Sequence, residues 1–477
     1  MILLLIGCSG PGSGESGEDS GETAGVDAGG PVDREWAFVA GAPADGLGNA
    51  LTRAGDMNGD GAEDLLVSAY LGNRVCVVPS PLPAGQHALD ALAVTCFYGE
   101  QDTDYAGYGT AGVGDADGDG LDDVMIGAIG NSDGGANAGR VYLMPGPVSP
   151  GPFSVGEATA TWQGEAGGDY AGAAIATAGD VTGDGLQDVL VGASGYDAEG
   201  TAGGRAYVLP GPLAAGSWAL ADAPMSFTGL GAATAGAPPH GAFGVGDFVG
   251  DALLGPGDLD GDGFDDLALG ASGDATLGAN TGRAAVFFGP LVEGARLITE
   301  ADLVIMGIEA ESYTGSPIAG PGDLTGDGLA DLLVSADGGG PGYVYLMAGS
   351  TFSGTVSVSD AAVRLAGETD GDLFGFALDH GDVDGDGVID LFVGSPANQR
   401  AGELTGAAWL FHGPFSAGSY DTTSASAVHG AVDIGTFGCA VSVGPDLDLD
   451  GGLDLVVGEY TGEAGGGFSG GFYVISP

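Results

Sequence analysis

Apolar residues in this chain come in short runs of four to six, bounded by Gly, Pro and Asp. Runs of that length suit β-strands buried between packed sheets, and no stretch carries the apolar period of a helix. The pattern is clearest between Tyr170 and Gly229. Tyr170-Ala-Gly172-Ala-Ala-Ile175-Ala-Thr-Ala-Gly179 predicts a first strand, A, and Val189-Leu190-Val191-Gly192-Ala193 a second, B. Arg205-Ala206-Tyr207-Val208-Leu209 predicts strand C, and after a Pro-Gly-Pro turn and a variable loop, residues 223–229 predict strand D. Between A and B lies a polar segment, Asp180 to Asp188, that recurs along the whole chain.

That segment reads Asp-x-Asp/Asn/Thr-x-Asp-Gly-x-x-Asp, and its seven copies begin at Asp56, Asp115, Asp180, Asp258, Asp323, Asp382 and Asp446. They are 59, 65, 78, 65, 59 and 64 residues apart, the span of one four-stranded propeller blade with a loop attached. The expected fold is therefore all-β, a seven-bladed β-propeller of four-stranded blades filling residues 34–477. The chain stops after Gly471-Phe472-Tyr473-Val474-Ile475, a strand C, with no strand D before Pro477. Trp36-Ala37-Phe38-Val39-Ala40-Gly41 resembles the strand D pieces Thr161-Trp162-Gln163-Gly164 and Val304-Ile305-Met306-Gly307. An N-terminal strand thus joins the last blade and closes the ring, which hides both open edges.

The loop also suggests chemistry. Side chains at positions 1, 3 and 5, a carbonyl at 7 and a carboxylate at 9 can surround a hard cation with oxygen, the preference of Ca2+. The expected ligand sets are Asp56, Asn58, Asp60, Ala62 and Asp64; Asp115, Asp117, Asp119, Leu121 and Asp123; and Asp180, Thr182, Asp184, Leu186 and Asp188. Next come Asp258, Asp260, Asp262, Phe264 and Asp266, then Asp323, Thr325, Asp327, Leu329 and Asp331. The last two are Asp382, Asp384, Asp386, Val388 and Asp390, and Asp446, Asp448, Asp450, Gly452 and Asp454. Up to seven Ca2+ ions are expected, held more weakly where position 3 is Asn58, Thr182 or Thr325. An EF-hand needs a Glu at position 12. Here that position is Val67, Ile126, Val191, Leu269, Val334, Val393 or Val457, which excludes it.

The seven in-phase copies, with Tyr105-Ala-Gly107, Phe248-Val-Gly250, Phe374-Gly375 and Phe437-Gly438 before them and Gly192-Ala193-Ser194, Gly270-Ala271-Ser272 and Gly394-Ser395-Pro396 after, resemble the FG-GAP repeats of the integrin alpha-subunit propeller. The resemblance implies metal loops on a lower face between strands A and B, and a ligand-binding upper face made of the B to C and D to A loops. Integrins usually carry metal loops in only some blades, whereas all seven are intact here. With no inserted domain or leg region in the sequence, integrin-style adhesion does not carry over.

Composition narrows the function. The net charge is −57, and the nine basic residues are all Arg. Nucleic acid, which demands a basic surface, is a poor partner. The absence of Lys removes P-loop, Schiff-base and Ser-x-x-Lys chemistry. Gly130-Asn-Ser132-Asp-Gly134 and Gly467-Phe-Ser469-Gly-Gly471 match a nucleophile elbow, but a Gly-rich chain gives such matches by chance and neither precedes a helix. No catalytic constellation emerges, so the chain is not expected to be an enzyme. Arg74, Arg140, Arg205 and Arg283 all start strand C, a repetition that points to pairing with carboxylates.

Cys8 follows Leu5-Ile6-Gly7 as in the lipobox of bacterial lipoproteins, although the apolar stub is short for a signal and lacks a basic start. We expect a signal over residues 1–8 with Cys8 lipidated, then a disordered acidic Gly/Ser tether over residues 9–33. Cys76 and Cys96 fall in consecutive strands and are either a disulfide or two buried thiols, and Cys439 has no evident partner. The connection from Gly229 to Gly246 is far longer than its counterpart from Gly164 to Asp169 and carries Pro238-Pro239-His240, a candidate ligand contact. The expected function is a calcium-stabilised, exported module, anchored by lipid at a bacterial outer membrane or cell surface. As a monomer, it would bind a protein or glycan through upper-face loops. The alternatives are a propeller enzyme, a polysaccharide lyase or hydrolase with its site near the axis, and a purely structural surface protein.

Overall fold

The computed structural model describes residues 25–27, 35–197, 203–230, 247–349, 354–400, 405–429, 436–461 and 469–476. Cys8 and the expected signal, most of the expected tether, and residues 231–246 of the long connection lie outside the described residues. The rest forms seven small sheets in a ring. In blade 3 the strands are Ala171–Gly179, Asp188–Ala193, Arg205–Leu209 and Met225–Thr228, paired antiparallel in the order A, B, C, D. The other blades repeat this plan, and their A strands touch one another from blade to blade in a closed circuit.

The core lies between the blades. Side chains on a strand alternate between its two faces. Leu65 and Val67 of strand B (Asp64–Ala69) thus pack with Val39 and Phe472 of the last blade, while Leu66 packs with Val124 and Ile126 of the second. Seven apolar clusters follow this rule, one at each seam. Strand B, covered on both faces, is buried along its whole length in every blade. Cys76 and Cys96 stand directly opposite each other on strands C and D of the first blade and form a disulfide.

The ring closes as the sequence implies. Glu35–Ala40 pairs antiparallel with Gly471–Ile475, so the last blade takes three strands from the C-terminus and one from the N-terminus. The blade count holds, but each sheet has a fifth strand. What the sequence presents as a variable C to D loop contains a short strand that runs parallel to strand D of the preceding blade. These outer strands are Gly85–Ala88, Gly151–Ser154, Gly216–Ala219, Gly294–Leu297, Gly354–Ser357 and Gly418–Asp421. A single 3-10 turn follows each and buries its first side chain, Leu89, Val155, Leu220, Ile298, Val358 or Thr422.

The last blade has no C to D link, because the chain ends after its strand C. The outer place on blade 6 is filled instead by Gly25–Asp27, antiparallel to Ser426–His429. Three residues within the expected tether thus form a short strand. The physical reason is the free edge that blade 6 would otherwise present.

Val39 is wholly buried in the closing strand. Val39→Asp places an unpaired charge in the seam and should cost about 3 kcal/mol or more. Thermal melting reads the loss, and an unchanged melt would show that the closing strand is dispensable.

Candidate metal centres

Each acidic loop is built by its own backbone. The N–H at position 6 donates to the carboxylate at position 1 in all seven copies, at 2.8 to 3.0 Å. The N–H at position 7 donates to the carboxylate at position 5, again in all seven, at 2.8 to 3.0 Å. These bonds draw the carboxylates toward one centre. Oxygens of Asp115, Asp117 and Asp123 lie within 4.8 Å of one another, as do those of Asp258, Asp260 and Asp262, of Asp323, Asp327 and Asp331, and of Asp382, Asp384 and Asp386.

Two positions do work that the loop pattern does not reveal. Position 2 is always apolar and buried: Met57, Ala116, Val181, Leu259, Leu324, Val383 and Leu447. Its carbonyl accepts from the C to D turn of the next blade at four seams, from Val148 to Met57, Leu213 to Ala116, Leu291 to Val181 and Leu82 to Leu447. Position 4 needs a left-handed backbone. It is Gly59, Gly118, Gly183, Gly261, Gly326 and Gly385 in six copies, whereas the last uses Leu449 at φ 59°.

Position 9 is the most constrained. It opens strand B, is buried in every blade and holds pieces of chain that are distant in sequence. In blade 4, one oxygen of Asp266 accepts from the Leu259 N–H of the loop at 2.7 Å and the other from the Gly289 N–H of the C to D turn at 2.8 Å. Asp123, Asp331 and Asp390 repeat both bonds. Burial, helped by the neighbouring loop carboxylates, pushes Asp64 and Asp454 up to about 7 and Asp123 and Asp266 up to about 6. Asp188, Asp331 and Asp390 move in the same direction through burial.

These residues fit a divalent cation, which would relieve the buried charge. One oxygen of fully buried Asp64, Oδ2, has no hydrogen-bond partner, and neither has Oδ1 of Asp382. At two of the three loops where position 3 is neutral, its side chain turns to position 9. The Asn58 amide donates to Asp64 at 3.1 Å and the Thr325 hydroxyl to Asp331 at 3.2 Å.

The opposite face has its own acidic device, absent from the sequence reading. Asp45, Asp104, Asp169, Asp247 and Asp372 stand three residues before a Gly at the entrance to strand A in five blades, and all are buried. Each side chain accepts an N–H from its D to A turn, and each carbonyl an N–H from the B to C turn of the same blade. The aromatic residues near that Gly occupy two positions. Tyr105, Tyr170, Phe248 and Tyr313 sit two before it with positive φ, while Phe374 and Phe437 sit directly before it and are buried.

All four Arg residues at the start of strand C pair with carboxylates: Arg74 with Asp45 and Asp90, Arg140 with Asp133, Arg205 with Glu165, and Arg283 with Asp274. Ser132, of the first nucleophile-elbow match, is spent on its own turn, donating to the Gly130 carbonyl and accepting from the Asn137 N–H.

The family model for the FG-GAP repeat matches residues 171–209, 252–287 and 318–358, and each match covers strands A to C of one blade. Three blades of the chain thus match FG-GAP repeats, and the ring is similar to the propellers of integrin alpha subunits. Integrin alpha-PS2 of Drosophila melanogaster is 33% identical over 224 residues, which is 43% of this chain and 15% of that protein. Integrin alpha-X of Homo sapiens is 34% identical over 177 residues, 34% of this chain and 15% of that one. Phosphatidylinositol-glycan-specific phospholipase D of Dictyostelium discoideum is 29% identical over 186 residues, 34% of this chain and 19% of that enzyme. The FG-GAP propeller thus spans under a fifth of the length of these relatives. Its similarity to integrins supports a module of the binding or adhesion type.

Two outcomes test the loops as built. Leu449→Gly removes a side chain from a left-handed position at an exposed site and should raise stability by about 1 kcal/mol in denaturant unfolding. In excess chelator, the raised carboxylates bind more protons folded than unfolded, so stability falls as pH rises from the unfolded value near 4 through the folded values of about 6 and 7. The metal-free melting temperature should therefore be higher at pH about 5 than at pH about 8, and a rise over that interval would contradict the burial effect.

Proposed function

We propose that this FG-GAP propeller is a calcium-stabilised, surface-anchored binding module that recognises a protein or glycan through the face opposite its acidic loops. One observation carries the reading: the strand connections divide by face. The A to B loops and C to D turns are bonded together at one end of the blades, and the B to C and D to A turns at the other. The loop end is committed to holding the ring. The other end is left to vary, and Leu230 and Asp247, which flank the long connection, meet there.

In this reading positions 1, 3, 5, 7 and 9 of each loop hold Ca2+, up to seven ions in all. Charged carboxylates that repel one another in the bare loop become ligands. With a dissociation constant near 0.1 mM in millimolar Ca2+, each site would contribute about 1.4 kcal/mol, and seven about 10 kcal/mol. Anchoring would come from lipid on Cys8, with residues 9–24 and 28–33 as spacer. Among the described residues no helix is long and apolar enough to cross a membrane.

A second reading is favoured by the similarity to the Dictyostelium phospholipase D. The propeller would then serve a catalytic function, as a lyase, hydrolase or phosphoesterase. A cavity of about 350 Å³ near the axis, lined in part by Thr52, Arg53, Asp379 and Ser442, is the place for it. Both oxygens of Asp379 are engaged by backbone N–H groups, of Val443 and His380, which argues against a free catalytic base there.

Excess EGTA should lower the melting temperature sharply, and an unchanged melt would remove calcium from the reading. A glycan array and a binding screen against purified cell-surface proteins, each with and without Ca2+, should return a ligand whose binding is lost on deleting residues 232–243. Turnover on phosphoester or polysaccharide panels would favour the enzyme instead.

A further inference from the structure

The sixth loop differs from its six counterparts in two ways that are independent of each other. The first is an imidazole. His412 stands just before Gly413, whose N–H binds Asp390 at position 9, and its Nδ1 lies 3.4 Å from Asp390 Oδ1 and 3.5 Å from Asp384 Oδ2. The equivalent residues in blades 1 to 5 are Pro79, Pro145, Pro210, Phe288 and Ala348, none of which offers a side-chain donor. The second difference is at position 1. In the other six loops, Oδ1 of that Asp accepts an N–H from position 4 or 5. Asp382 Oδ1 accepts none and is enclosed.

Both contacts of His412 are longer than an ordinary N–H···O hydrogen bond, which falls at about 2.7 to 3.2 Å. They match the spacing of two ligands on one small ion. Donors at about 2.0 to 2.1 Å in tetrahedral array stand about 3.3 to 3.4 Å apart. Oxygen-only loops suit hard cations, whereas an imidazole beside carboxylates suits the borderline dications of the later first transition row. The half-exposed ring of His412 leaves the centre open to entry from solvent.

We propose that the sixth loop is a mixed nitrogen and oxygen metal site that selects a Zn2+-type dication, with His412 Nδ1, Asp384 and Asp390, whose ligand atoms lie within 4.8 Å of one another, as its donors. It rests on the reading that these loops bind cations, and makes one of the seven sites chemically different from the rest. Loading it needs no Ca2+ to leave the other six, so the ring could carry two metals at once.

The test uses the full chain, stripped with EDTA and returned to millimolar Ca2+. Calorimetric titration with Zn2+ should show one site much tighter than any other, weakened at least about tenfold in both His412→Gln and Asp384→Asn. Cu2+ bound at one equivalent should show nitrogen coupling in its electron paramagnetic spectrum, lost in His412→Gln. Equal Zn2+ affinity in wild type and His412→Gln, or a Cu2+ spectrum that the substitution leaves unchanged, overturns the proposal. The Ca2+-dependent rise in melting temperature, measured on the same samples, separates the two readings. If the rise is present but the nitrogen signature is not, this inference alone fails. If Ca2+ has no effect on the melt, the general loop reading fails, while a nitrogen signature lost in His412→Gln still supports the site.

Discussion

The buried carboxylate at the start of each strand B is the constraint on which the rest depends. A charged group in that place would destabilise an ordinary core. It is tolerated because backbone N–H groups of its own loop and of the C to D turn converge on it. The same two turns carry the contacts across the seams, from the buried residue at position 2 and from its carbonyl. Ring geometry and the acidic loop therefore meet in the same side chain.

The two faces solve the same problem differently. On the loop face, carboxylates are clustered and half-solvated, and backbone N–H groups are drawn onto them. On the other face, Asp45, Asp104, Asp169, Asp247 and Asp372 stand singly, each capping its own turn. The four Arg residues at the start of strand C add ion pairs there with Asp45, Asp133, Glu165 and Asp274. A chain of such negative charge thus places its scarce cations where acidic turns need them, and leaves the loop face to metal.

Much of this was legible in the sequence. The seven Asp-rich loops, each running into an aliphatic segment, gave the blade count, the identity of strands A to C and the closing role of the N-terminal strand. The outer strands were not visible because Gly85–Ala88 and its counterparts are largely exposed and show no apolar alternation, the signal by which strands are recognised. A weaker signal existed in the Gly-x-x-x-apolar-x-acid spacing of Gly151 to Glu157, Gly216 to Asp222 and Gly294 to Glu300. In the loops, attention to oxygen ligands hid the apolar residue at position 2 and the left-handed requirement at position 4, which Leu449 exposes by breaking it. His412 lies 22 residues beyond the loop it faces, and only the C to D turn brings it back.

The outer strand of each blade has a consequence for how such a protein can grow or shrink. Because six of the seven sheets borrow their edge from the following repeat, the unit repeated in the sequence is not the unit that is covered in space. Excising or adding one whole repeat leaves the neighbouring blade dependent on whatever segment is next to hand. The short strand Gly25–Asp27 shows how modest such a patch can be, three residues running in the opposite direction to every other outer strand.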